Sequence, residues 1–515
     1  MSKYRRINLA VMAGLLLWSQ TARAGDFVDT RLTFTFGDDN FLAKAGETTV
    51  DSPLVGFGDR PGYKLFFDNL DSQYTGRENL LHLVLYKKLP GFITGLSTET
   101  AIVVKADFSD ASNIRFLDDG TYLRVAYDFS RGMRQHAPMF DVTMFPISTD
   151  RFRVGYLYSL TWGGASIFPA AKSNLTPGVK LGFKWASGYA FAGMKTARIL
   201  TNPPPGGNGE TSLGREAETV YGGLAGVGVE LPGRVKIELS GGFFDMGDNP
   251  NNGVEGQTVQ TFGGSMRLSQ HKGMPIGIST DLRLYRTDSA FLDSIGRKET
   301  YGPGFSYQVS LEGTLVGQTL EDPDHFGTTK VQSAYAGAFS AKMKWKYLRA
   351  HLTTFLRSVP FILLNVPSFV PYQALSPETK ATPQVFVALG ADWYVASRHL
   401  TFGGMVGSMV VPATMETTLT GSMGGQPVVL GRKVLVIRDE GDFSVLPDGK
   451  KAKPITALKG SIKWDLSNMM TLMAVVILQY DHNFTNLVTL HNGTAALDYE
   501  KPWRFGAMVF SQARF

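Results

Sequence analysis

The sequence predicts an all-β fold, a transmembrane antiparallel β-barrel of about 18 strands with 16 to 20 allowed. After residue 24 the apolar residues alternate with polar ones at period two almost throughout, as in strands with two unlike faces. No uncharged apolar stretch there reaches the roughly 20 residues that a spanning helix needs. Turn-rich segments divide the chain into about 20 strands, and an even number is expected of a single-chain bacterial barrel.

The N-terminus has the pattern of a secretory signal peptide. Lys3, Arg5 and Arg6 precede an apolar run from Ile7 to Trp18, and Ala22-Arg23-Ala24 provides a small-x-small cleavage site before Gly25. We therefore expect residues 1–24 to be removed and residues 25–515 to form a single barrel domain. The chain contains no cysteine, which excludes disulfides, thiol nucleophiles and cysteine metal sites.

The overall charge gives no reason to expect a nucleic-acid partner. Four of the 51 Lys and Arg residues lie before residue 25, which leaves 47 basic against 45 acidic residues. The mature chain is thus close to neutral despite its basic pI.

The strand pattern separates an apolar face from a charged one in seven segments. In residues 121–129, for example, Leu123 and Val125 alternate with Arg124 and Asp128. A Lys or Arg facing lipid at the bilayer midplane would cost about 2 to 4 kcal/mol, which explains why the charges keep to one face. Twelve basic residues are therefore predicted to line a pore: Arg124, Lys180, Lys184, Arg234, Lys236, Arg283, Lys342, Lys344, Lys346, Arg349, Lys459 and Lys463. The same faces carry four acidic residues, Asp128, Glu238, Asp281 and Asp465, so a mildly anion-favouring lumen is expected.

A soluble β-sandwich also shows alternation, so further features decide between the two. Aromatic residues gather near strand ends, the strands are longer than the 5 or 6 residues usual in soluble sheets, and the C-terminal segment ends on an aromatic. From residue 503, one face of that segment carries Trp503, Phe505, Ala507, Val509, Ser511, Ala513 and Phe515.

This C-terminal segment resembles the last strand of bacterial outer-membrane β-barrels, whose closing aromatic is read by the assembly machinery. The resemblance implies a porin-like protein of the bacterial outer membrane, with Phe515 as the assembly signal. It also implies three kinds of partner: outer-membrane lipid with lipopolysaccharide, the barrel-assembly machinery, and small solutes.

Short connections are expected to alternate with long loops, as periplasmic turns alternate with extracellular loops. Counted back from residue 515 the alternation is regular as far as the turn near 346, with notable loops at 359–381 and 413–454. A further long loop is expected at 37–77. Upstream the alternation loses phase, once between residues 131 and 188 and once between 231 and 330.

Few residues suggest chemistry beyond a pore. Asp38-Asp39-Asn40 and the group Asp68, Asn69 and Asp71 could supply oxygen ligands to calcium, although acidic loop clusters are usually just solvated. The eight histidines form no catalytic motif, and Asp481-His482-Asn483 lacks a serine partner motif. We expect no cofactor, no metal and no enzymatic activity. The apolar segment 361–372 is expected either to constrict the pore or to lie at the membrane interface or barrel mouth.

Two functions remain open. The first is a channel for passive diffusion of small hydrophilic solutes. The second is a surface-binding or adhesion barrel that acts through the loops 37–77 and 413–454 while its lumen is blocked.

Overall fold

The fold is that of a computed structural model, which describes residues 31–38, 42, 54–57, 80–107, 115–118, 120–130, 138–150, 152–164, 167–168, 175–200, 217–249, 251, 253–273, 304–364, 372–376, 379–423, 426–437, 443–447, 449–467, 469–489 and 495–514. The expected signal peptide, the predicted pore residue Arg283 and Phe515 lie outside them. So do both calcium candidates, apart from Asp38 at the end of the first strand. Within the described residues no helix is long and apolar enough to cross a membrane.

The described chain is almost entirely strand. In order, its strands are β1 (Arg31–Asp38), β2 (Leu54–Phe57), β3 (Leu80–Pro90), β4 (Leu96–Asp107), β5 (Arg115–Asp118), β6 (Tyr122–Asp128), β7 (Met139–Phe145), β8 (Gly178–Trp185), β9 (Gly188–Leu200), β10 (Ala217–Leu231), β11 (Val235–Asp248), β12 (Thr258–Lys272), β13 (Phe305–Glu321), β14 (Thr329–Trp345), β15 (Leu348–Arg357), β16 (Lys380–Thr382), β17 (Gln384–Val395), β18 (Leu400–Val410), β19 (Ala413–Met423), β20 (Gln426–Ile437), β21 (Phe443–Val445), β22 (Ile455–Asp465), β23 (Met470–Tyr480), β24 (Thr485–Thr489), β25 (Ala495–Tyr499) and β26 (Trp503–Arg514). One short helix, α1 (Val359–Leu364), and a 3₁₀ turn at Tyr158–Leu160 interrupt them.

Eighteen of these strands form the barrel wall, each antiparallel to its neighbours. Their order is β1, β3, β4, β6 to β15, β17, β18, β22, β23 and β26. The first and last strands of the chain are neighbours in the wall, because β1 pairs with β26 over eight residues. The other edge of β1 contacts β3 through the single pair Arg31↔His82 and is otherwise taken by β2. The predicted transmembrane antiparallel barrel of about 18 strands is confirmed.

The two faces of the wall differ as the alternation predicts. On β12, Phe262, Met266 and Leu268 are 40 to 53% exposed, whereas Ser265 and Arg267 between them are buried. Neighbouring strands repeat the pattern in register, since Leu268 pairs with Ile237 on one side and with Leu311 on the other. The apolar face is therefore the outer, lipid-facing surface, and the polar face lines the interior.

The connections explain where the sequence-based alternation lost phase. The turns 91–95, 186–187, 232–234, 346–347, 396–399 and 466–469 all lie at one end of the barrel, here called the turn end. The connection from β12 to β13 also belongs to that end, although it spans residues 273–304, and the loop 322–328 at the opposite end is short. The expected order has short turns at the turn end and long loops at the other. The connection 273–304 and the loop 322–328 have the opposite lengths, so the alternation fails there.

Two loops at the other end, here called the loop end, carry additional sheets. Strands β16, β19, β20 and β21 form a four-stranded sheet within the region 379–447, and β24 pairs with β25 as a hairpin. Much of the loop predicted at 413–454 is therefore strand, namely β19, β20 and β21. Of the predicted loop 37–77, the described part is limited to the end of β1, Leu42 and β2.

Candidate functional site

The interior of the barrel contains a segment of the chain that is not part of its wall. Residues 146–177 connect β7 to β8 at the loop end. Among their described residues Phe152, Val154, Leu160, Trp162 and Phe168 are at most 2% exposed. We call residues 146–177 the in-folded segment.

The in-folded segment is a compact excursion whose two ends lie side by side. Ser148 forms a β-bridge with Thr176, and the Thr149 hydroxyl donates a 2.6 Å hydrogen bond to the Thr176 carbonyl. Val154 and Trp162 exchange both backbone hydrogen bonds at 3.0 Å. These contacts satisfy backbone groups that would otherwise be buried without partners.

Aromatic side chains pack the in-folded segment against the inner wall. The ring of Phe152 lies 5.9 Å from that of Phe191 on β9, and Trp162 and Phe168 lie 5.5 and 6.3 Å from Phe244 on β11. All three contacts are edge-to-face, which is a favourable aromatic geometry. The segment therefore covers the inner face of β9 to β11 rather than projecting from the loop end.

Glu312 on β13, two strands along the wall from β11, holds the middle of the segment. Its two carboxylate oxygens accept the backbone N–H groups of Tyr156 and Leu157, each at 2.8 Å, and the Glu312 side chain is buried. A carboxylate that accepts two backbone N–H groups forms charge-assisted hydrogen bonds, which are stronger than neutral ones. Next to it, the Arg267 guanidinium stacks 4.6 Å from the centre of the Tyr156 ring. Burial raises the pKa of the Tyr156 hydroxyl, which stays neutral at physiological pH.

Lys195 on β9 ties the N-terminal part of the segment to its middle. Its ammonium group is fully buried and donates to the carbonyls of Phe152, Gly163 and Thr149 at 2.6, 2.7 and 3.1 Å. Three carbonyl acceptors use all three donors of a lysine, so the desolvation cost of the buried charge is offset. The sequence analysis did not identify Glu312 or Lys195, because alternation shows only that they face inward.

Helix α1 is a second element inside the barrel. Ser358 begins it: its hydroxyl lies 3.4 Å from the Phe361 N–H and also accepts the Tyr335 N–H at 2.9 Å. Phe361 is completely buried in the same apolar cluster as the stacked pair Phe355 and Phe386 of β15 and β17. Of the two placements considered for 361–372, the described part, Phe361–Leu364, is inside the barrel, while 365–371 lie outside the described residues.

The inner wall also carries two ion clusters in which bases meet acids. In the first, Arg124 on β6 bridges Glu99 at 3.3 Å and Asp141 at 3.2 Å, and Tyr122 donates a 2.5 Å hydrogen bond to Glu99. In the second, Glu238 on β11 receives Lys236 at 3.0 Å, the Tyr189 hydroxyl at 2.7 Å and the Arg267 guanidinium. Buried charges need a partner of opposite sign, and each charged group of these two clusters has one.

The twelve predicted pore residues have different placements. Two of them, Arg234 and Lys346, lie in turns at the turn end with φ of 61° and 50°, not on the wall. The alternation pattern assigned both residues to wall strands, but Arg234 lies one residue before β11 and Lys346 one residue after β14. Their assignment as pore-lining residues is therefore corrected. Nine occupy inward positions of wall strands: Arg124, Lys180, Lys184, Lys236, Lys342, Lys344, Arg349, Lys459 and Lys463. Arg349 and Lys463 bind Asp392 and Asp465 at 2.8 and 3.1 Å.

The group Asp481-His482-Asn483 has a structural role. Asp481 Oδ1 accepts the backbone N–H and the side-chain amide of Asn483, and Asn483 exchanges hydrogen bonds with the Lys453 backbone. The His482 ring packs edge-on against Tyr480 at 5.0 Å. This arrangement joins two loops. In the part of the chain that the structure describes, no three His, Cys, Asp or Glu residues gather as a metal site.

The wall and its contents define the class of the protein. It is a transmembrane antiparallel β-barrel with a connection folded into its interior. No family model matches the chain, and no curated protein sequence matches it either.

Solved structures with similar overall shape include three bacterial outer-membrane proteins. They are the anion-selective porin from Comamonas acidovorans (10% identity, 95% of this chain and 98% of that chain covered, TM-score 0.38), OccK2 of Pseudomonas aeruginosa in complex with glucuronate (8%, 95% and 97%, 0.41) and OmpT of Vibrio cholerae in its trimer form (8%, 95% and 98%, 0.36). At these identities and TM-scores, the description of this chain rests on its own pairings and contacts.

Proposed function

We propose that this protein is a channel of the bacterial outer membrane through which small hydrophilic solutes diffuse passively. The observation that carries the proposal is the in-folded segment, anchored to the inner wall by Glu312 and Lys195. An 18-stranded barrel is too wide for wall side chains to fill, so its lumen holds water unless chain elements occupy it. A fixed segment at one side narrows such a lumen and sets the size of solute that passes.

We include a preference for anions in this proposal, but a smaller one than the count of basic residues in the sequence suggests. Acids that the alternation analysis did not count, Glu99, Asp141, Glu312 and Asp392, also lie on inward faces and meet the bases there. The basic excess then lies on β8, which carries Lys180 and Lys184, and on β14, β15 and β22. There Lys342 and Lys344 pair in register with His351 and Arg349, and Lys459 lies on the same face of β22. Rings of Lys and Arg favour anions, and a partial ring gives a mild preference.

The proposal extends to location and partners. The turn end faces the periplasm and the loop end faces outward, as is usual for bacterial barrels. The outer face contacts outer-membrane lipid and, at the loop end, lipopolysaccharide. The C-terminal strand is the segment offered to the assembly machinery, residues 1–24 direct export, and no catalytic step is proposed.

Single-channel recording tests the channel directly. The mature protein is refolded and added to a planar bilayer under a salt gradient. We expect stable conductance steps and a reversal potential displaced slightly toward the anion. Silence from protein whose β-sheet content shows that it is folded would contradict the proposal.

A second function is supported by one observation, the four-stranded sheet at the loop end. Strands β19 and β20 form a long hairpin flanked by β16 and β21, and such a sheet offers edges for another protein. In this alternative, removal of the hairpin abolishes attachment of the barrel to surfaces. The channel proposal requires instead that conductance persists in the same variant.

A further inference from the structure

Two neighbouring turns at the turn end form one surface. Lys346 and Tyr347 connect β14 to β15, and residues 396–399 connect β17 to β18. The Tyr394 backbone N–H donates to the Tyr347 carbonyl at 2.9 Å, and the Tyr394 hydroxyl lies 3.0 Å from His399 Nδ1. These contacts hold the two turns side by side. We call Lys346, Tyr347 and residues 396–399 the basic turn surface.

The basic turn surface carries two cations, Lys346 and Arg398, and no acid of its own. Lys346, Arg398 and His399 are all exposed, and residues 345–348 and 393–400 contain no Asp or Glu. Two acids adjoin the surface, and each is bound by a base of the wall. Asp392 faces the interior and lies 2.9 Å from Arg349 Nε. Asp465, whose backbone N–H donates to the His399 carbonyl, lies 3.1 Å from Lys463 Nζ. The loop 322–328 at the opposite end differs, because Lys330 there is held by Asp322 and Asp324 at 2.9 and 3.3 Å.

Tryptophans lie directly beside the basic turn surface on the outer face of the wall. Trp345, Trp393 and Trp464 are 51, 49 and 46% exposed. Leu348 pairs with both Trp345 and Trp393, which puts these two at the same height. The Lys346 ammonium lies 5.4 Å from the centre of the Trp345 ring. Exposed tryptophans of a barrel mark the boundary between hydrocarbon and headgroups, so the cations of this surface lie at headgroup height.

We propose that the basic turn surface binds the phosphate headgroup of an anionic phospholipid. Its cations receive the phosphate, and the acyl chains run along the outer face beside the tryptophans. A free phosphate would use the cations alone, whereas a lipid uses both the cations and the adjoining apolar surface. The inference rests on the proposed orientation, which puts the turn end against the phospholipid leaflet.

Lipid retention by the intact barrel tests this site. The protein is equilibrated with equal amounts of phosphatidylglycerol and phosphatidylcholine, and native mass spectrometry counts the lipids that stay bound. We expect preferential retention of phosphatidylglycerol. The double variant K346Q/R398Q is expected to lower phosphatidylglycerol binding by roughly twentyfold, since each cation near an anionic lipid contributes about fivefold. The control K450Q/K451Q removes the same charge from an exposed loop at the other end and is expected to retain wild-type binding.

The outcomes separate this inference from the channel. Equal retention of the two lipids by the wild type, or equal loss in both double variants, would overturn it. Displacement of the lipid by millimolar inorganic phosphate alone would also overturn it, because the apolar surface would then contribute nothing. Conductance of the same wild-type sample tests the pore independently: silence with selective lipid retention refutes only the channel.

Discussion

At the scale of single residues, Glu312 is the side chain that holds the middle of the in-folded segment. Its carboxylate is the acceptor for two consecutive N–H groups of the in-folded segment and lies near Arg267. Removing the acceptor of a buried hydrogen bond leaves the donor without a partner, which costs about 1 to 3 kcal/mol of stability. Position 312 therefore controls how firmly the segment is held.

We expect Glu312→Gln to loosen the in-folded segment. The amide keeps one acceptor oxygen but directs N–H donors at a backbone N–H, so one of the two bonds is lost. Single-channel recording is expected to show noisier current and a higher mean conductance than the wild type. Glu255→Gln, an exposed loop position, is the control. Identical traces for the wild type and Glu312→Gln would show that this carboxylate does not hold the segment.

Residue roles were only partly predictable from the sequence. Alternation separates Arg124 and Lys236 from the lipid-facing residues, because position within a strand fixes the face, and their role in lining a pore stays a prediction. It could not find that these bases meet Glu99 and Glu238, since register between strands is not visible in one sequence. Arg234 and Lys346 were misassigned because a turn with positive φ is usually recognised by glycine, and here both residues are basic.

At the scale of elements, the in-folded segment behaves as a separable insertion. Its ends are bridged at Ser148 and Thr176, next to the ends of β7 and β8, so the two strands pair with or without it. The wall and its narrowing are therefore encoded by different stretches of chain.

We expect replacement of residues 150–175 by Gly-Gly to widen the pore. Thr149 and Thr176 are already hydrogen-bonded, so the short linker spans them. Conductance is expected to rise by roughly twofold or more, because a barrel of this size leaves an open lumen once its contents are removed. Thermal stability should fall, since Phe191 and Phe244 lose their cover. The control replaces residues 323–327 of an exposed loop with the same dipeptide. A deletion variant with wild-type conductance would show that another element sets the limit.

The sequence shows elements better than it shows their location. The strands of β6, β8, β11, β14, β15 and β22 agree with the alternating segments, because one face of each must be apolar for lipid. The in-folded segment is also rich in apolar residues, namely Phe152, Val154, Trp162 and Phe168. A side chain packed inside the barrel and a side chain facing lipid are both apolar, so residue type does not distinguish them. Composition alone therefore could not separate an in-folded connection from wall strands, and the alternation lost phase at that point.

At the scale of the whole molecule, ion selectivity depends on the summed charge of the wall. The two ion clusters contribute little net charge, so the bases outside them on β8, β14, β15 and β22 decide the sign. Lys342 and Lys344 occupy inward positions on the same strand, two residues apart.

We expect K342Q/K344Q to move the reversal potential toward the cation side. The change removes two positive charges from the inner wall without altering strand register. K450Q/K451Q removes two charges from a loop and should leave the reversal potential near the wild-type value. An unchanged potential in K342Q/K344Q would mean that ions do not pass along this part of the wall.

The seam between β1 and β26 has a consequence for how the barrel is made. Every other wall contact joins strands that follow one another in the wall series, whereas this seam joins residues more than 460 positions apart. The entropic cost of such a closure grows only slowly with separation, but the closure must wait until β26 has been exported. Until then both outer strands present unpaired backbone groups, the kind of edge that recruits other chains. A chain stopped before residue 503 is thus expected to be an open sheet, prone to aggregation and accessible to proteases, rather than a smaller pore.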